Sequence, residues 1–584
     1  MKVCLGQINT TPGDFDGNLA AIKRGIDVAI EGDSDVIVFP ELSIPGYLSQ
    51  DLIYHSGFVD RNLKILDDIV KYTLKGDSKL HVVVGYIERN SGAGKPFLNM
   101  AAVINNGEVL GTYQKQLLPF YDVFDELRYF EPGINLLVLD IAGKKVGVAI
   151  CEDLWNDKGS DSYTYVDNPL YQYRSAGVEV ILSLNSSPYV HEKPWQRLSL
   201  ISPSTVDGLS IVYVNQRGGQ DELVFDGQSF VVSCGNLLHQ SCEINKDSFD
   251  IVDLDTDSVN LCEVYHPDKR HIIAEKSASL FDLLVLCLRD YVVKSGFKSL
   301  VLASSGGVDS ALVCKLACAA IGPKNVHAVR MPSIYSSGHA KSDAIALHQN
   351  LGCWDYEVEI DHQPVLDMLN VSYAKYNSDQ SNLVTQKMQE GYSEVADENI
   401  QARMRDLYLM HFSNAFGAMP LSTGNKTESA CGYYTHFDMN FSFAPIKDLY
   451  KYQVVELAMA CPEIPHNIWQ KPPSAELAPG QTDEESLLPY AILDPIVCAY
   501  VEDYVSTFEE LKYWYQSKEV LTISMDLSVF ESWLDKAEAE MDFHRIVSLI
   551  GRMEYKRRQT CPGTKVSKVA FGIGRRIPIV ERWS

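Results

Sequence analysis

The sequence predicts an α/β protein built from two modules in series, each organised around a sheet containing parallel strands. Three observations predict it. The chain has 584 residues, too many for one ordinary core. Its first half repeats short, continuously apolar strands that end on polar residues, as in a sheet buried on both faces with chemistry at one edge. Its second half opens with a helix, a strand, a glycine-rich loop, a helix and another strand. That is the βαβ grammar of a doubly wound parallel sheet.

The elements run in order. Residues 36–39 form an apolar strand ending at Pro40 and Glu41. Apolar strands at 82–85 and 100–104 follow, then 146–150 ending at Cys151, 180–184 ending at Asn185, and 211–214 ending at Asn215. Residues 266–278 are polar and irregular and read as a connection between a first module, 1–265, and a second, 279–584. In the second, a helix over 280–294 leads to a strand at 300–303, a helix at 311–321 and a strand at 326–329. Residues 375–393 are polar and weakly periodic and read as a loop near a site. Beyond residue 471 the pattern is mixed helix and loop.

Composition excludes several classes. A net charge of −26 argues against nucleic acid as the main partner, since phosphate backbones need a basic surface. The apolar runs are too short to span a membrane, and the first residues already read as a strand rather than a leader. The thirteen cysteines are scattered, which suits a reducing cytoplasm. No Cys-x-x-Cys pair is present, which argues against a structural zinc site. Cys314 and Cys318 sit four apart on an apolar helix and read as core packing.

The loop Ser305-Gly306-Gly307-Val308-Asp309-Ser310 joins a strand to a helix. Glycines let backbone amides converge on phosphate oxygens, the two serines add hydroxyls, and the helix amino end adds positive potential. Asp309 would repel a bare phosphate, so the pattern predicts a magnesium ion between them. The loop matches neither Gly-x-x-x-x-Gly-Lys nor Gly-x-Gly-x-x-Gly.

This loop resembles the signature of the ATP pyrophosphatase superfamily, whose members cleave ATP between its α and β phosphates. Further blocks narrow the resemblance to the glutamine-dependent NAD synthetases. They begin at Met331-Pro332-Ser333, Glu398-Asn399, Ser422-Thr423-Gly424-Asn425, Pro445-Ile446-Lys447, Ala478-Pro479-Gly480 and Glu554-Tyr555-Lys556, and they keep the family's order over essentially the whole chain. The resemblance implies that Thr423, Lys451 and Ser474 join the 305–310 loop in holding ATP. It implies that Asp309 and Glu428 hold Mg2+, and that Asn399, Arg403, Glu428, Asp438 and Lys556 hold deamido-NAD. The block from His436 to Ser442 departs from the family pattern in residue types and by one residue in length, so of it only Asp438 is carried over.

The first half is similar to the nitrilase superfamily, which implies an α-β-β-α sandwich. Glu41, Lys115 and Cys151 each close an apolar run, in the order that superfamily uses. The types suit amide hydrolysis. A cysteine attacks the glutamine amide to give a thioester, a glutamate takes and returns a proton, and a lysine stabilises the oxyanion. The lysine charge is also expected to lower the thiol pKa. The resemblance places Tyr121, Phe124 and Glu126 at the glutamine pocket, with Glu126 orienting Lys115, and Ser187 and Lys193 at the amino-acid end of the substrate. Two other glutaminase designs do not fit. One needs an amino-terminal nucleophile, and the other needs Gly-x-Cys-x-Gly, whereas Cys151 stands between Ile150 and Glu152.

The family resemblance implies an enzyme, a homodimer or larger, that amidates deamido-NAD with ATP and glutamine; since free ammonia is mostly protonated at neutral pH and diffuses away, an internal passage between Cys151 and the adenylate is expected, in a cytoplasmic protein as the cysteines suit. Two other readings stand beside it: a related ligase for another carboxylate, which the altered 436–442 block allows, and a binding protein with a dead site, which the intact Glu41, Lys115, Cys151 and Asp309 oppose.

Overall fold

The computed structural model describes residues 1–75, 79–155, 165–255, 278–336, 338–374, 395–435, 441–471, 477, 487–517 and 527–580. The expected connection, apart from residue 278, lies outside the described residues, as do the 375–393 loop, Asp438 and Ser474. The chain divides into two compact units, Met1–Leu286 and Cys287–Ser584.

The first unit holds two six-stranded sheets. One contains β1 (Lys2–Gln7), β2 (Val36–Val38), β3 (His81–Arg89), β4 (Phe97–Asn105) and β5 (Glu108–Gln114), with β14 (Ser248–Asp253) at the far edge, in the order β14-β1-β2-β3-β4-β5. The other contains β6 (Val138–Ile141), β7 (Lys144–Ile150), β8 (Val180–Asn185), β9 (Ser210–Asn215), β12 (Phe230–Ser233) and β13 (Asn236–Gln240), in the order β13-β12-β9-β8-β7-β6. Between these, β10 (Arg217–Gln220) and β11 (Leu223–Asp226) form a separate antiparallel hairpin. Each sheet has a parallel centre, β1-β2-β3 in one and β7-β8-β9 in the other, with antiparallel strands outside it.

Alternation along the strands shows why these segments read as unbroken apolar runs. Val3, Leu5, Val36 and Val38 point into a core shared with Val146, Val148, Leu182 and Val212 of the other sheet. The residues between them, Cys4 and Ile37, point the other way, against Ala21, Ile22 and Ile26 of helix α1 (Phe15–Glu31) and Ile65 and Ile69 of α2 (Phe58–Tyr72). Helices α3 (Pro169–Ser175) and α4 (Lys193–Ile201) add Tyr173 and Leu198 to the core of the second sheet. With both strand faces buried, neither can be polar. The result is an α-β-β-α sandwich.

In the second unit, helix α5 (Leu280–Lys294), which carries the point of division, precedes four parallel strands: β15 (Leu300–Ala303), β16 (Val326–Arg330), β17 (Trp354–Glu357) and β18 (Met419–Leu421). Their order is β17-β16-β15-β18, so the chain winds outward from β15 and then returns to its other side. Such a reversal leaves a crevice beyond the carboxyl end of β15, the usual ligand position of doubly wound sheets. Helices α6 (Val308–Ile321), α7 (Gly338–Leu351), α8 (Gln363–Ala374) and α9 (Val395–Phe416) make the crossovers. Helix α6 starts three residues before its expected beginning, so Val308, Asp309 and Ser310 form its first turn. After residue 487 a helical core forms around Leu493, Ile496, Phe530, Trp533, Phe543 and Ile546.

Candidate active sites

In the first unit, three chain segments leave the sheets and meet. Glu41 lies three residues beyond β2, Lys115 directly follows β5 and Cys151 directly follows β7. Strand β3 makes room for the Glu41 turn at Gly85, where a Cβ would stand 2.3 Å from the Leu42 amide nitrogen. Lys115 is fully buried, with its ammonium 2.6 Å from Glu41 Oε1 and 2.9 and 2.8 Å from the two Glu126 oxygens. Asn99 Nδ2 donates to Glu41 Oε1 at 2.8 Å and the Tyr47 hydroxyl to Glu126 Oε1 at 3.1 Å. Glu41 Oε2 is buried and accepts no hydrogen bond among the described residues, which leaves one carboxylate oxygen available as a proton acceptor.

Cys151 is buried and takes a positive φ of 45°, a strained setting for a residue with a side chain. The next turn supplies the brace. Asp153 Oδ2 accepts from Ile150 N at 2.9 Å and from the Tyr113 hydroxyl at 2.8 Å. Asp153 Oδ1 accepts from Gln116 N at 3.1 Å and Leu117 N at 2.9 Å. One buried carboxylate thus ties the Cys151 turn to the segment that carries Lys115.

Lys115 acts on the Cys151 thiol in the expected direction, lowering it, but it is outweighed. Burial, and then the charge of Glu41, push the Cys151 thiol well above its ordinary range, and the opposing effect of Lys115 does not reverse this. Lys115 stays firmly protonated because Glu126 and Glu41 outweigh its burial. Glu126 is pushed up to about 7, chiefly by burial.

Around this centre, the Tyr121 hydroxyl donates to both Glu152 oxygens at 2.9 and 3.0 Å, and its ring meets Phe124 edge-on at 5.6 Å. The Lys193 ammonium lies 4.2 Å from the centre of the Trp155 ring. Ser187 is held through its backbone. Its N–H donates to Asn215 at 2.9 Å, and its carbonyl accepts from Arg197 at 2.7 Å. Arg197 in turn makes a buried two-oxygen pair with Asp226 at 2.9 and 2.8 Å.

In the second unit, Gly306 has φ +81°, and a Cβ there would lie 2.4 Å from the Ala340 carbonyl oxygen. Gly307 caps α6 with extended backbone and no side-chain acceptor, leaving the first amides of the helix open to an anion. Ser305 and Ser310 hydroxyls stand 3.2 Å apart, and Ser310 Oγ donates to the Gly307 carbonyl at 3.0 Å. The loop borders a cavity of about 670 Å³. All six loop residues line it, as do Thr423, Lys451, Asn399, Arg403, Glu428 and Lys556.

Two carboxylates converge inside that cavity. The buried Lys451 ammonium pairs with Asp309 Oδ2 and lies 3.2 Å from Glu428 Oε1. Asn425 fixes both, donating to Asp309 Oδ1 at 2.8 Å and accepting from Glu428 N at 2.9 Å. It does so as the cap of α10 (Lys426–Cys431). A pair of carboxylates arranged about one positive charge is a donor set that suits a divalent cation between phosphate oxygens. Lys556 donates to the carbonyls of Gly432 and Tyr434 at 2.8 and 3.0 Å, and burial lowers its pKa. Asn399 accepts from the Thr435 hydroxyl.

Sequence reading missed Tyr47, Asn99, Asp153, Arg197, Asp226 and Asn425. Asn99 and Asp226 carried one signal, a lone polar residue within or closing an apolar strand, which a fold keeps buried only when it is partnered.

Comparisons with known proteins agree with this division. The model of the carbon-nitrogen hydrolase family matches residues 2–235, and the NAD synthase model matches residues 280–529. The glutamine-dependent NAD(+) synthetase of Thermotoga maritima is 36% identical, over 100% of this chain and 99% of its own. That of Aquifex aeolicus is 36% identical over the whole of both chains. The chain belongs to the glutamine-dependent NAD(+) synthetase family. The structure of the Acinetobacter baumannii synthetase, in complex with ADP, is 32% identical and superposes with a TM-score of 0.69 over 100% of this chain and 99% of that one. The Cytophaga hutchinsonii synthetase, 18% identical with a TM-score of 0.75 over 100% of this chain and 98% of that one, shares the fold. The chain therefore joins a glutaminase unit of the carbon-nitrogen hydrolase family to an ATP-using NAD synthase unit.

Proposed function

We propose that the enzyme converts deamido-NAD, ATP, glutamine and water into NAD, AMP, pyrophosphate and glutamate, with glutamine opened at Cys151. The observation that carries the glutaminase half is Lys115, buried between Glu41 and Glu126 beside a strained Cys151. As the sulfur attacks the amide carbon, Glu41 Oε2 takes the thiol proton and later delivers it to departing ammonia. With burial and Glu41 raising the thiol, the charge of Lys115 acts chiefly on the oxyanion. Glu126 holds Lys115 and faces the water that opens the thioester. Tyr121, Phe124, Ser187 and Lys193 surround the glutamine.

In the synthase half, the nicotinate carboxylate attacks the α phosphate of ATP, and ammonia then displaces AMP from the acyl adenylate. The 305–310 amides and hydroxyls hold the pyrophosphate, with Thr423 and Lys451 beside them. Asp309 and Glu428 are the residues to hold Mg2+, which when bound neutralises charge on the leaving pyrophosphate. Asn399, Arg403 and Lys556 hold the dinucleotide. Ser474 and Asp438 keep the ATP and deamido-NAD roles that the family resemblance gives them. The glutaminase role falls to residues 1–265 and the ligase role to 279–584, in a cytoplasmic homo-oligomer that sedimentation will size.

The test is a Cys151→Ala variant. Glutamine-driven NAD formation should fall at least about 10³-fold, while synthesis from added ammonium stays near wild type. Equal loss of both activities would falsify the two-site reading.

A further inference from the structure

We propose that Cys314, Cys318 and Cys353 form a three-sulfur site in the second unit that binds one thiophilic divalent cation of the zinc and cadmium class. Among the described residues, these are the one group of three potential ligands whose donor atoms all lie within 4.8 Å of one another. Cys314 and Cys318 are one turn apart on α6, so their side chains share a face of that helix. Cys353 immediately precedes β17 and brings the third sulfur to them across the fold. No spacing rule finds such a set, because the third ligand is thirty-five residues beyond the second in the sequence.

Distances fit the chemistry. Cys314 and Cys353 sulfurs stand 3.9 Å apart, too far for a disulfide. Two thiolates bound to one zinc at about 2.3 Å each span about that separation. Thiolate is the ligand type that selects such soft cations over magnesium. The thiols give up their protons to solvent as the cation binds, so binding strengthens as pH rises.

Access and neighbours also fit. Cys353 is partly exposed, Cys318 is nearly buried and Cys314 is fully buried, so an ion can enter from the Cys353 side. His348 does not complete the set. Its Nδ1 meets Asp355 at 2.7 Å and its Nε2 meets Ser304 at 2.9 Å. Water is left as the fourth ligand. The site staples the helix that starts at the phosphate loop to the edge of the sheet, and none of its residues lines the ATP cavity.

The experiment is a Cd2+ titration of the fully reduced, full-length enzyme, read by sulfur-to-metal charge-transfer absorption and competed with Zn2+. Wild type should saturate at one equivalent in this band, and Zn2+ should raise its unfolding temperature. Cys353→Ser and Cys318→Ala should each weaken binding by more than the roughly 10–100-fold that loss of an outer-shell partner costs. Both should keep ammonium-driven synthesis, which shows that they fold. Absorption unchanged in both variants overturns the proposal. So does absorption that rises without saturating, or a band lost in Cys151→Ala instead.

Discussion

At the scale of single residues, the glutaminase centre rests on two buried groups, Lys115 and Asp153. Lys115 keeps Glu41 and Glu126 from facing each other unneutralised. Lys115→Met should lower glutamine hydrolysis by about 10²–10³-fold, the usual cost of one oxyanion donor. It should also destabilise the first unit by about 3–5 kcal/mol, because a broken buried pair leaves uncompensated charge. Hydrolysis rates and urea midpoints read the two effects, and ammonium-driven synthesis should persist. A variant that loses activity without losing stability would contradict the geometry. Asp153 makes a pH prediction. Burial raises its carboxyl from 3.8 to about 6. A raised folded pKa means that the native state holds the proton more tightly than the unfolded chain. Its contribution is complete below about pH 4 and fades as pH rises through 6. The stability difference between wild type and Asp153→Asn should therefore move against wild type from pH 4 to pH 7, by about 3 kcal/mol at two pKa units. Parallel stability curves across that range would refute this.

At the scale of elements, legibility followed locality. The strand that ends at Cys151 and the strand that feeds the phosphate loop stand where the apolar runs place them, because a strand buried on both faces is an unbroken apolar word. The glycine-rich loop was readable since its residues are consecutive. The start of α6 was not. Val308, Asp309 and Ser310 are weak helix formers, and their helical turn comes from the loop geometry rather than from propensity. Nor was the Arg197–Asp226 pair readable, since nothing local marks an arginine on a helix as the partner of an aspartate on a hairpin 29 residues away. The strain at Cys151 is likewise a property of the Asp153 brace, not of the cysteine. Gly306→Ala tests the loop as an element. A methyl group cannot fit 2.4 Å from the Ala340 oxygen at a φ of +81°. The backbone must move, and the convergence of amides on phosphate is lost with it. ATP-dependent AMP release should fall at least about 10²-fold, by analogy with a misplaced catalytic group, while glutamine hydrolysis continues. Unchanged AMP release would show that the loop does not hold the phosphates.

At the scale of the whole molecule, two sites of opposite electrostatic character share one strongly acidic chain. With a net charge of −26, the protein as a whole repels anions. The cavity beside the phosphate loop offsets this locally, since Arg330, Lys341, Arg403, Arg405, Lys451, Lys471 and Lys556 in its lining outnumber Asp309, Glu398 and Glu428. In the first unit, Glu41, Lys115 and Glu126 instead form a buried group of two carboxylates about one ammonium. If these chemistries are separable, a mixture of two inactive proteins must recover the reaction. Cys151→Ala is expected to lose glutamine hydrolysis and Gly306→Ala most of its ATP activation, so neither alone should make NAD from glutamine at an appreciable rate. In the mixture, ammonia made by the Gly306→Ala protein reaches the Cys151→Ala protein through solvent, where most of it is protonated and cannot attack an acyl adenylate. NAD should therefore appear after a lag, at a rate that follows accumulated ammonia. The lag should shorten when ammonium is added at the start, and it should shorten at higher pH as the free base grows. A mixture that stays silent even with added ammonium would mean that the Cys151 substitution had also damaged the synthase unit. Immediate full-rate synthesis would mean that one of the two substitutions had not removed its half-reaction.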